Sequence, residues 1–521
     1  MSRDLLLSID LGTQSVRALL FDRQGHLKGR AQQVFTDYQR EQPGWMTHDG
    51  EAFWQAAAAC CRRLMAEHPA GQVAGRVAGV SVTTQRGSIV PMAADGRCLA
   101  PAVIWLDQRR ATQLPRLSPL WRAAFRMAGV SRTIETLQRD AEVNWWAEHQ
   151  PDMLRGAHKL MLVSGLLHQR LTGRFADSVG SQVAYLPFDY KRHAWSGSAD
   201  WKWQALAVQR EQLPELLPVG ERLGEVTPQA AALTGLLAGT PVIAAAADKA
   251  CEILGSGALA PHIGALSYGT TATLNQTLPR YVEPEPFVPP YPAAVRGHYS
   301  LEMQIARGFW LVSWFKQQFG HPERESAQVL GVAPEQLFDE LIADIPPGSL
   351  GLTLLPTWSP GIRHPGPEAK GAVIGFGEVH TRAHLYRAIL EGLAYGLREG
   401  AERLQRRSGV KFTALHASGG GAQSDACLQL TADVFRLPVA RPHTHETSGL
   451  GASMDCAVGL GLHANMEAAV AEMTRVARWF EPRPEAADRY DRLYAEVYRP
   501  MYGRLQPLFE RIRAITGYPA A

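Results

Sequence analysis

Several patterns are scarce or absent in this chain of 521 residues, and each absence excludes a class of protein. The six cysteines include no CxxC pair, so the sequence implies neither a disulfide framework nor a zinc site. The chain does not open with a basic region followed by an apolar one, and no apolar run is long enough to span a membrane. A cytoplasmic protein with reduced thiols fits these absences.

Charge of one sign is scarce as well. The net charge of +3 is small for this length, so it gives no reason to expect a nucleic-acid or membrane surface. The chain has no low-complexity segment and no flexible linker. It is too long for one compact core, and two or three domains are expected. The sequence leaves open whether the chain acts alone or as a homodimer.

What the chain does contain is a distinctive stretch over residues 5–22. Two short runs of strand-forming residues flank Gly12-Thr13-Gln14-Ser15, a pattern typical of a β-hairpin. Asp10 ends the first run and Arg17 begins the second. A hard oxygen donor, free turn amides and a cation are the parts that a metal-phosphate ligand needs. The alternative is an ordinary turn with a surface aspartate.

A second stretch, over residues 264–274, repeats this pattern about half a chain later. Gly269-Thr270 corresponds to Gly12-Thr13, again between two strand-forming runs. An internal repeat of this kind predicts two similar domains that face each other across a cleft. Each domain would then contribute one hairpin turn to the same phosphate chain.

Hydrophobic periodicity predicts the remaining elements. Strands followed by helices in one unit imply an α/β layered domain. Residues 110–235 are predicted to be mostly helical, with one helix over 160–171. Further helices are predicted over 383–406, 425–435 and 486–515.

Three consecutive glycines, Gly419-Gly420-Gly421, lead from a predicted strand into a helix that Ser424 introduces. A glycine loop before a helix N-terminus suits the phosphate or ribose of a nucleotide. A tight turn also needs glycine, so the triplet is weakly specific when taken alone.

A series of short motifs occurs in a fixed order along nearly the whole chain. They are Asp10 to Ser15 with Arg17, Pro43-Gly44-Trp45, Thr84-Gln85-Arg86, Trp105 to Arg109, Gly239-Thr240-Pro241, Asp248, Tyr268 to Thr271, Arg387 to Gly392, the glycine triplet, and Gly449 to Ala452. In these motifs the chain resembles the FGGY carbohydrate kinases, a group that includes glycerol kinase and xylulokinase. Many markers in the right order are specific, whereas each alone is weak.

The resemblance implies an α/β fold with two ribonuclease-H-like domains, of the actin and hexokinase ATPase type, flanking a cleft. It implies an N-terminal FGGY domain over 1–245 on the sugar side and a C-terminal FGGY domain over 246–521 on the nucleotide side. The implied activity is ATP-dependent phosphorylation of a hydroxyl of a sugar, ketose or polyol, with Mg²⁺ as cofactor.

The resemblance also implies roles for individual residues, with Asp248 as the catalytic base in contact with substrate and Asp10 as a magnesium ligand. Phosphate would be held by Gly12, Thr13, Gln14, Arg17, Gly269, Thr270 and Thr271. The adenosine would be bordered by Gly420, Gly421, Gln423 and Ser424. The sugar would be held by Gln85, Arg86, Trp105 and Asp107.

The chemistry of Asp248 supports its role independently. Phosphoryl transfer needs positioning, a divalent cation and a group that accepts the hydroxyl proton. Asp248 ends an apolar run, where partial burial would raise its pKa towards useful basicity. The alternative is a strand-end aspartate that caps a helix.

The chain departs from its relatives at three places. Glycerol kinases carry an acid where Gly87 stands, which argues against glycerol as the substrate. Xylulokinases usually carry Met-His where Gln85-Arg86 stands here. Relatives often have asparagine or glutamine where Lys249 follows the base. This lysine could pair with Asp248, contact substrate or turn into solvent, and solvent or structural pairing is preferred.

Two other functions compete with a kinase. One is a catalytically silent relative that binds a sugar and regulates a partner, although retention of Asp10 and Asp248 argues against it. The other is an actin-fold ATPase of the chaperone type. A sugar pocket containing Gln85, Arg86, Trp105 and Asp107 would be superfluous there.

Overall fold

Strands and helices alternate through the whole chain. The computed structural model describes residues 3–67, 73–332, 334–361 and 365–519. The strands of the first half are β1 (Leu5–Leu11), β2 (Ser15–Asp22), β3 (Leu27–Val34), β4 (Thr47–His48), β5 (Val77–Thr84), β6 (Ile89–Met92), β7 (Ala102–Val103), β8 (Lys159–Leu162), β9 (Ala176–Ser178), β10 (Phe188–Asp189), β11 (Ala194–Trp195), β12 (Glu215–Leu217), β13 (Arg222–Glu225) and β14 (Pro241–Ile243). Its helices are α1 (Gly50–Ala66), α2 (Pro119–Met127), α3 (Ser131–Asp140), α4 (Glu142–His149), α5 (Pro151–Gly156), α6 (Val163–Thr172), α7 (Lys202–Ala205) and α8 (Pro228–Thr234).

The second half begins with a helix and then repeats the same alternation. Its strands are β15 (Ile263–Tyr268), β16 (Ala272–Leu278), β17 (Tyr291–Pro292), β18 (Tyr299–Ile305), β19 (Thr353–Leu355), β20 (Ala372–Ile374), β21 (Ala414–Ser418), β22 (Val439–Pro442) and β23 (Val476–Phe480). Its helices are α9 (Asp248–Gly255), α10 (Trp310–Phe319), α11 (His321–Leu330), α12 (Pro334–Leu341), α13 (Arg382–Ser408), α14 (Asp425–Phe435), α15 (Thr447–Gly459), α16 (Met466–Met473), α17 (Pro484–Leu493) and α18 (Arg499–Thr516). No helix of the described residues combines the length and the apolar character that crossing a bilayer requires.

The two large sheets share one topology. The first has the order β3-β2-β1-β5-β14-β13, in which only the β1/β5 and β5/β14 pairs are parallel. The second has the order β18-β16-β15-β21-β22-β23 with parallel pairs at the corresponding places, and the short β17 is added at its edge. The internal repeat predicted from the two Gly-Thr turns is therefore confirmed as a repeat of the whole sheet.

The central strand β1 is buried on both faces. Leu5, Leu7 and Ile9 belong to the core that α1 covers, whereas Leu6 belongs to the core that α15 covers. Successive side chains of a strand point to opposite faces. A continuous apolar run, rather than an alternating one, is what a strand covered by helices on both sides requires.

Two helices from the second half of the chain, α9 and α15, pack closely against each other. A Cβ atom on Gly255 would lie 1.9 Å from the carbonyl oxygen of Thr447, so only glycine permits this approach. α15 packs on β1 and β5 of the first sheet. On α9, Glu252 accepts hydrogen bonds from Ser267 and Ser418 of the second sheet. The helix pair therefore lies between the sheets, and the division of the chain at 245/246 stays a prediction.

Most predicted elements of the second half are present. The helices predicted over 383–406 and 425–435 are α13 and α14. The helix predicted over 486–515 is divided into α17, a π-helical turn over Tyr494–Tyr498, and α18.

The prediction that residues 110–235 are mostly helical is wrong in its second part. The single helix expected over 160–171 is a strand over Lys159–Leu162 followed by a helix over Val163–Thr172. Leu162 pairs with Ile89 of β6, so pairing with a distant strand overrides the helical spacing of the leucines. Five further strands, β9 to β13, lie between residues 176 and 225.

Candidate active site

One cavity of about 850 Å³ lies where several strands of both sheets end. The predicted site residues that line it are Thr13, Gln85, Arg86, Trp105, Asp248, Gly269, Thr270 and Thr271. Thr13 follows β1, Gln85 follows β5, Asp248 follows β14 and Gly269 follows β15. Ligands of open α/β sheets bind outside the carboxyl ends of the strands. These eight residues, predicted to hold phosphate or sugar or to act as the base, thus meet in one space.

The first Gly-Thr turn places a carboxylate beside a cation. The N–H group of Gly12 donates to the carbonyl of Ser15 at 3.0 Å and closes the hairpin. Asp10 and Arg17 are cross-strand partners, and Nη1 of Arg17 lies 3.3 Å from Oδ2 of Asp10. Gln14 is exposed at the tip of the turn. These residues adjoin the cavity, whereas Thr13 lines it.

Asp10 is a buried carboxylate beside the first turn. Its side chain is buried, with 5% of the residue exposed. Burial raises the pKa of its carboxyl to about 7 against the opposing effect of Arg17, and Asp248 raises it further. Across the described residues, no group of three or more His, Cys, Asp or Glu side chains could hold a metal ion. A single buried carboxylate fits Mg²⁺, which binds one or two carboxylates together with phosphate oxygens and water.

The second Gly-Thr turn is anchored to the segment that precedes α10. The carbonyl of Gly269 accepts a hydrogen bond from the N–H group of Phe309 at 3.0 Å. The hydroxyl of Thr271 donates to the carbonyl of Ala306 at 3.2 Å. These bonds fix the shape of the turn while it lines the same cavity as Thr13.

Asp248 is the first residue of α9 and reaches the cavity wall. Its Oδ1 accepts a hydrogen bond from the backbone N–H group of Lys249 at 2.7 Å. Burial raises the pKa of the Asp248 carboxyl, and the positive charges of Arg86 and Lys249 oppose that rise. A carboxylate with a raised pKa that faces a cavity can accept a proton from a bound hydroxyl group.

The backbone before Asp248 is held in place by neighbouring elements. The carbonyl of Ala246 accepts hydrogen bonds from Oγ1 of Thr83 at 2.9 Å and from Sγ of Cys251 at 3.2 Å. The N–H group of Ala247 donates to the carbonyl of Gly180 at 3.1 Å. The position of Asp248 is therefore set by the first sheet and its loops.

Lys249 pairs with a carboxylate other than Asp248. Its Nζ lies 2.5 Å from Oε2 of Glu252 and 2.6 Å from Oγ of Ser267. Oε1 of Glu252 accepts hydrogen bonds from Ser267 and Ser418, both at 2.7 Å. Lys249 is thus held in a structural pair, but with Glu252 instead of the Asp248 considered from the sequence, and it also lines the cavity.

A chain of hydrogen bonds links the sugar side to the first turn. The indole Nε1 of Trp105 donates to Oγ1 of Thr13 at 2.9 Å, and this hydroxyl donates to Oε1 of Gln85 at 2.8 Å. Nε2 of Gln85 is buried and makes no hydrogen bond of good geometry, although Tyr38 lies close enough to interact with this side chain. A buried polar group without a partner is costly, and a ligand that accepted a hydrogen bond from it would remove that cost. This nitrogen is therefore a candidate donor to a ligand.

Arg86 connects the two halves of the molecule. Both of its terminal nitrogens donate to the carboxylate of Glu302 on β18, at 3.1 Å each. Its guanidinium lies over the ring of Tyr291, 5.0 Å from the ring centre. Burial alone would lower the pKa of Arg86. The negative charge of the nearby Glu302 raises the pKa, which ends above its ordinary value, so the side chain stays charged.

Asp107 does not line the cavity. Its Oδ2 accepts hydrogen bonds from Arg109 at 2.7 Å and from the N–H group of Met46 at 2.6 Å. Arg109 in turn lies over the rings of Trp45 and Trp145, at 4.2 and 4.7 Å. The side chain of Asp107 is thus buried in an ion pair with Arg109. Its predicted contact with the sugar stays a prediction.

The glycine triplet lies beside the second Gly-Thr turn. Gly419 has a φ of 82°, and a Cβ atom there would lie 2.9 Å from the Tyr268 backbone. A Cβ on Gly421 would lie 2.2 Å from the ring of Phe309, whereas one on Gly420 would have no neighbour within 4 Å. The triplet therefore presents open backbone at Gly420.

The two residues predicted after the triplet occupy the start of α14. Ser424 caps this helix by accepting from the N–H group of Cys427 at 3.0 Å, and it donates to Asp339 at 2.5 Å. The carbonyl of Gln423 accepts from Arg441 at 3.2 Å. Both side chains lie outside the cavity lining, next to Gly420.

Two residues of the site escaped sequence analysis, Glu302 and Tyr291, which contact Arg86. Glu446, which follows the glycine triplet in the sequence pattern, lies 3.4 Å from Arg17. A buried arginine signals that a carboxylate is nearby, but the sequence does not say which one. Only the arrangement of the two halves brings these partners together.

The sequence is similar to proteins of one family along most of its length. The N-terminal domain model of the FGGY family of carbohydrate kinases matches residues 5–255, and the C-terminal domain model matches residues 264–460. Among curated relatives, an uncharacterized sugar kinase, YgcE, from Escherichia coli is 28% identical over 96% of this chain and 94% of its own. Glycerol kinase from Methylibium petroleiphilum is 29% identical over 94% of this chain and 97% of its own.

Solved structures show the same fold. Xylulose kinase from Rhodospirillum rubrum has a TM-score of 0.81 and 25% identity, and the match covers 97% of this chain and 100% of that one. Glycerol kinase from Plasmodium falciparum, solved with ADP, has a TM-score of 0.76 and 16% identity over 96% of this chain and 99% of that one. The predicted two-domain fold of the actin and hexokinase type is confirmed. Because the two domain models match most of its length, the chain belongs to the FGGY family of carbohydrate kinases, which are phosphotransferases with an alcohol group as acceptor.

Proposed function

We propose that this kinase transfers the γ-phosphoryl group of ATP to a hydroxyl group of a sugar, ketose or polyol, with Asp248 as the general base. The observation that carries the proposal is that Asp248, both Gly-Thr turns and Trp105 converge on one cavity. The hydroxyl oxygen of the acceptor bonds to the γ-phosphorus as the bond from that phosphorus to the ADP oxygen breaks. The hydroxyl proton passes to Asp248, which later releases it to water.

The base is suited to this step by its surroundings. Burial raises the pKa of Asp248, which increases its affinity for a proton, while Arg86 and Lys249 limit the rise and keep it ionisable. Its backbone is fixed through Ala246 and Ala247, so little reorganisation is needed when the acceptor binds.

The two Gly-Thr turns would hold the phosphate chain between them. Turn amides near Gly12 and Gly269 can donate to phosphate oxygens without a side chain in the way. Asp10 would hold Mg²⁺, and a bound Mg²⁺ would neutralise charge on the phosphates. Arg17 lies beside Asp10 and adds a fixed positive charge at the same turn. Gly420 and Gly421 would border the adenosine.

Gln85, Arg86 and Trp105 would hold the acceptor. The Nε2 donor of Gln85 and the indole face of Trp105 suit a sugar, because one can bond a hydroxyl group and the other can cover an apolar face. Trp105 is 45% exposed in this structure, so its face is available. Asp107 would support this side of the cavity indirectly, by fixing the position of Arg109. We propose in addition that the enzyme is soluble and cytoplasmic and that its substrate is a small molecule.

The experiment is a screen of ketoses, aldoses, polyols and sugar acids with ATP and Mg²⁺, coupled to ADP release. The expected result is ADP release that depends on one class of acceptor, with a phosphate ester of that acceptor visible by phosphorus NMR. ADP release that does not depend on any acceptor would support a chaperone-type ATPase. Sugar binding by calorimetry without ADP release would support a silent regulatory relative.

A further inference from the structure

The cavity extends beyond the catalytic residues into a second region, which we call the apolar lobe. The apolar lobe is lined by Phe125, Ile134, Leu137, Ala184, Trp201 and Leu206. The first three belong to α2 and α3, which form a helical hairpin at this end of the cavity. The lobe and the region around Asp248 belong to one continuous space of about 850 Å³.

The apolar lobe is not filled by the chain itself. α2 contains no fully buried residue, so this helix does not use its apolar side to close a core. Phe125 stacks on Trp121 with ring centres 5.7 Å apart and meets Trp201 edge-on at 5.2 Å. These contacts line the wall of the lobe with aromatic rings and leave the interior for a ligand.

Two further polar groups, Glu142 and Tyr185, line the cavity. Glu142 begins α4 and lines the cavity, and within the described chain no other residue forms a hydrogen bond or ion pair with its carboxyl. Burial raises the pKa of Glu142 to about 8, with Asp107 and Asp140 adding to the rise. A protonated carboxyl and a phenol can bond an ether or hydroxyl oxygen without placing a charge in an apolar wall.

The chemistry of the part of the cavity that lies away from the two Gly-Thr turns differs from what a plain sugar needs. Pockets of roughly 300–1,000 Å³ hold drug-sized ligands, with mostly apolar walls and a few polar groups that fix orientation. A five- or six-carbon acceptor has hydroxyl groups on every side, whereas Thr133 and Lys202 add few polar groups to the lobe, and Lys202 is paired with Asp200. An acceptor that is polar at one end and apolar at the other matches both regions.

We propose that the acceptor is a polyhydroxylated chain joined to an apolar group, with the polyol end at Asp248 and the apolar end in the apolar lobe. This inference rests on the proposed function, because it names the substrate class of the same site. Glu142 and Tyr185 would bond the oxygen at the junction of the two ends. The phosphoryl step is that of the proposed function and needs no further reactant.

The test uses xylitol, D-arabitol and ribitol, each compared with its 1-O-benzyl and 5-O-benzyl ethers. At least one benzyl ether should have a kcat/KM about tenfold or more above that of its parent polyol, since a single methylene in an apolar pocket already changes discrimination by roughly 10–200-fold. Calorimetry on the same compounds should show tighter binding of that ether. Equal or better use of the parent polyols would overturn the inference and leave the proposed function standing.

Two matched variants of α3 locate the effect. Thr133 lines the cavity, whereas Glu135 is exposed on the same helix. Thr133→Phe should lower the ratio of kcat/KM for the ether to that for its parent by about tenfold, because the new ring occupies the lobe. Glu135→Phe should leave that ratio unchanged. Suppose that Thr133→Phe has the same melting temperature as Glu135→Phe and still leaves this ratio of kcat/KM values unchanged. The lobe then does not hold the benzyl group, and the inference is wrong.

The two hypotheses fail in different ways. If none of the screened acceptors is phosphorylated, the proposed function fails, and calorimetry still tests the lobe through the difference between ether and parent. If the polyols are phosphorylated but no ether binds more tightly than its parent, only the inference fails. This second result is expected if α2 and α3 fill the lobe themselves when the polyol binds, because no space is then left for a benzyl group.

Discussion

The two halves of this kinase have the same sheet but place different side chains at the same positions. In the first hairpin Asp10 pairs with Arg17, whereas in the second the corresponding pair is Ser267 and Thr273. Of these two pairs, only the first contains a carboxylate. If the two turns hold the phosphate chain as proposed, a metal ion would be bound at one end of that chain.

The helices that follow the outer parallel strands differ in a similar way. α9 begins with Asp248, and α15 is preceded by Glu446. Glu446 is paired with Arg17 at 3.4 Å and with Arg30 at 2.7 Å, whereas Asp248 has no ion pair within the described residues. One acid is neutralised and structural, and the other is left free to take a proton. The repeated fold thus supplies two similar positions, and their neighbours decide which one can act as a base.

The largest expected effect separates these two acids. Asp248→Asn should reduce kcat by ~10²–10⁴-fold or more, because the amide keeps the shape but cannot accept the proton. The KM for ATP and the melting temperature should change little. Glu446→Gln, the matched control, should reduce kcat at least tenfold less. Near-normal turnover of Asp248→Asn on an accepted sugar would refute the assignment of the base.

The next effect separates the two hairpin turns. Asp10→Asn should lower kcat by roughly 10²-fold, since a metal contributes several kcal/mol of charge stabilisation. It should also raise the Mg²⁺ concentration needed for half-maximal rate, measured by titration at saturating ATP. Ser267→Ala, at the corresponding place in the second turn, should leave the Mg²⁺ dependence unchanged. Equal Mg²⁺ dependence in the wild type and Asp10→Asn would show that the carboxylate does not hold the metal.

The two halves also differ after the middle one of their three parallel strands. Gln85 follows β5 in the first half, whereas Gly419-Gly420-Gly421 follow β21 in the second. Gly421→Ala should destabilise the protein by about 1–3 kcal/mol, because its Cβ would lie 2.2 Å from the Phe309 ring. Gly420→Ala has open space and should keep the melting temperature, while raising the KM for ATP. Thermal melting and ATP titration of both variants distinguish the effects. A stable Gly421→Ala variant with normal KM would contradict the close approach to Phe309.

A smaller effect concerns the pH dependence of the base. The base must be deprotonated to act, so kcat/KM should fall as the pH drops through the raised pKa of Asp248. Arg86 opposes that rise, so Arg86→Gln should move the acid limb upward by about one pH unit. The pH profile of kcat/KM for the acceptor measures the shift. A limb that stays in place, or moves downward, would mean that Arg86 does not act on Asp248.

The smallest effect tests the link between the sugar side and the first turn. Trp105→Phe keeps an aromatic face and loses the N–H group that bonds Thr13, and one hydrogen bond contributes about 0.5–1.5 kcal/mol. The KM for the acceptor should rise a few-fold. Trp105→Ala should raise it far more than the KM for ATP. Equal changes in both KM values for Trp105→Ala would mean that the ring only packs in the wall.

The sequence predicted the parts of this molecule that local patterns determine. The two hairpins, α13 and α14 follow from hydrophobic spacing and glycine turns, and the motif residues around the cavity follow from the family resemblance. The strand at Lys159–Leu162 was missed, because its partner Ile89–Met92 is far away in the chain. The ion pair of Arg86 with Glu302 was missed for the same reason. Neither partner carries a local signal of the contact.

The position of α9 has a consequence for recombining members of this family. The backbone before Asp248 is fixed by Thr83 of the first sheet, whereas Glu252, one turn later, is fixed by Ser267 and Ser418 of the second. A chimaera joined at 245/246 would take the base from one parent and the residues that position its backbone from the other. A junction between residues 255 and 264 would keep α9 with the first sheet. It would require that Glu252 find two hydroxyl groups in the new partner and that the new α15 keep its close approach to Gly255.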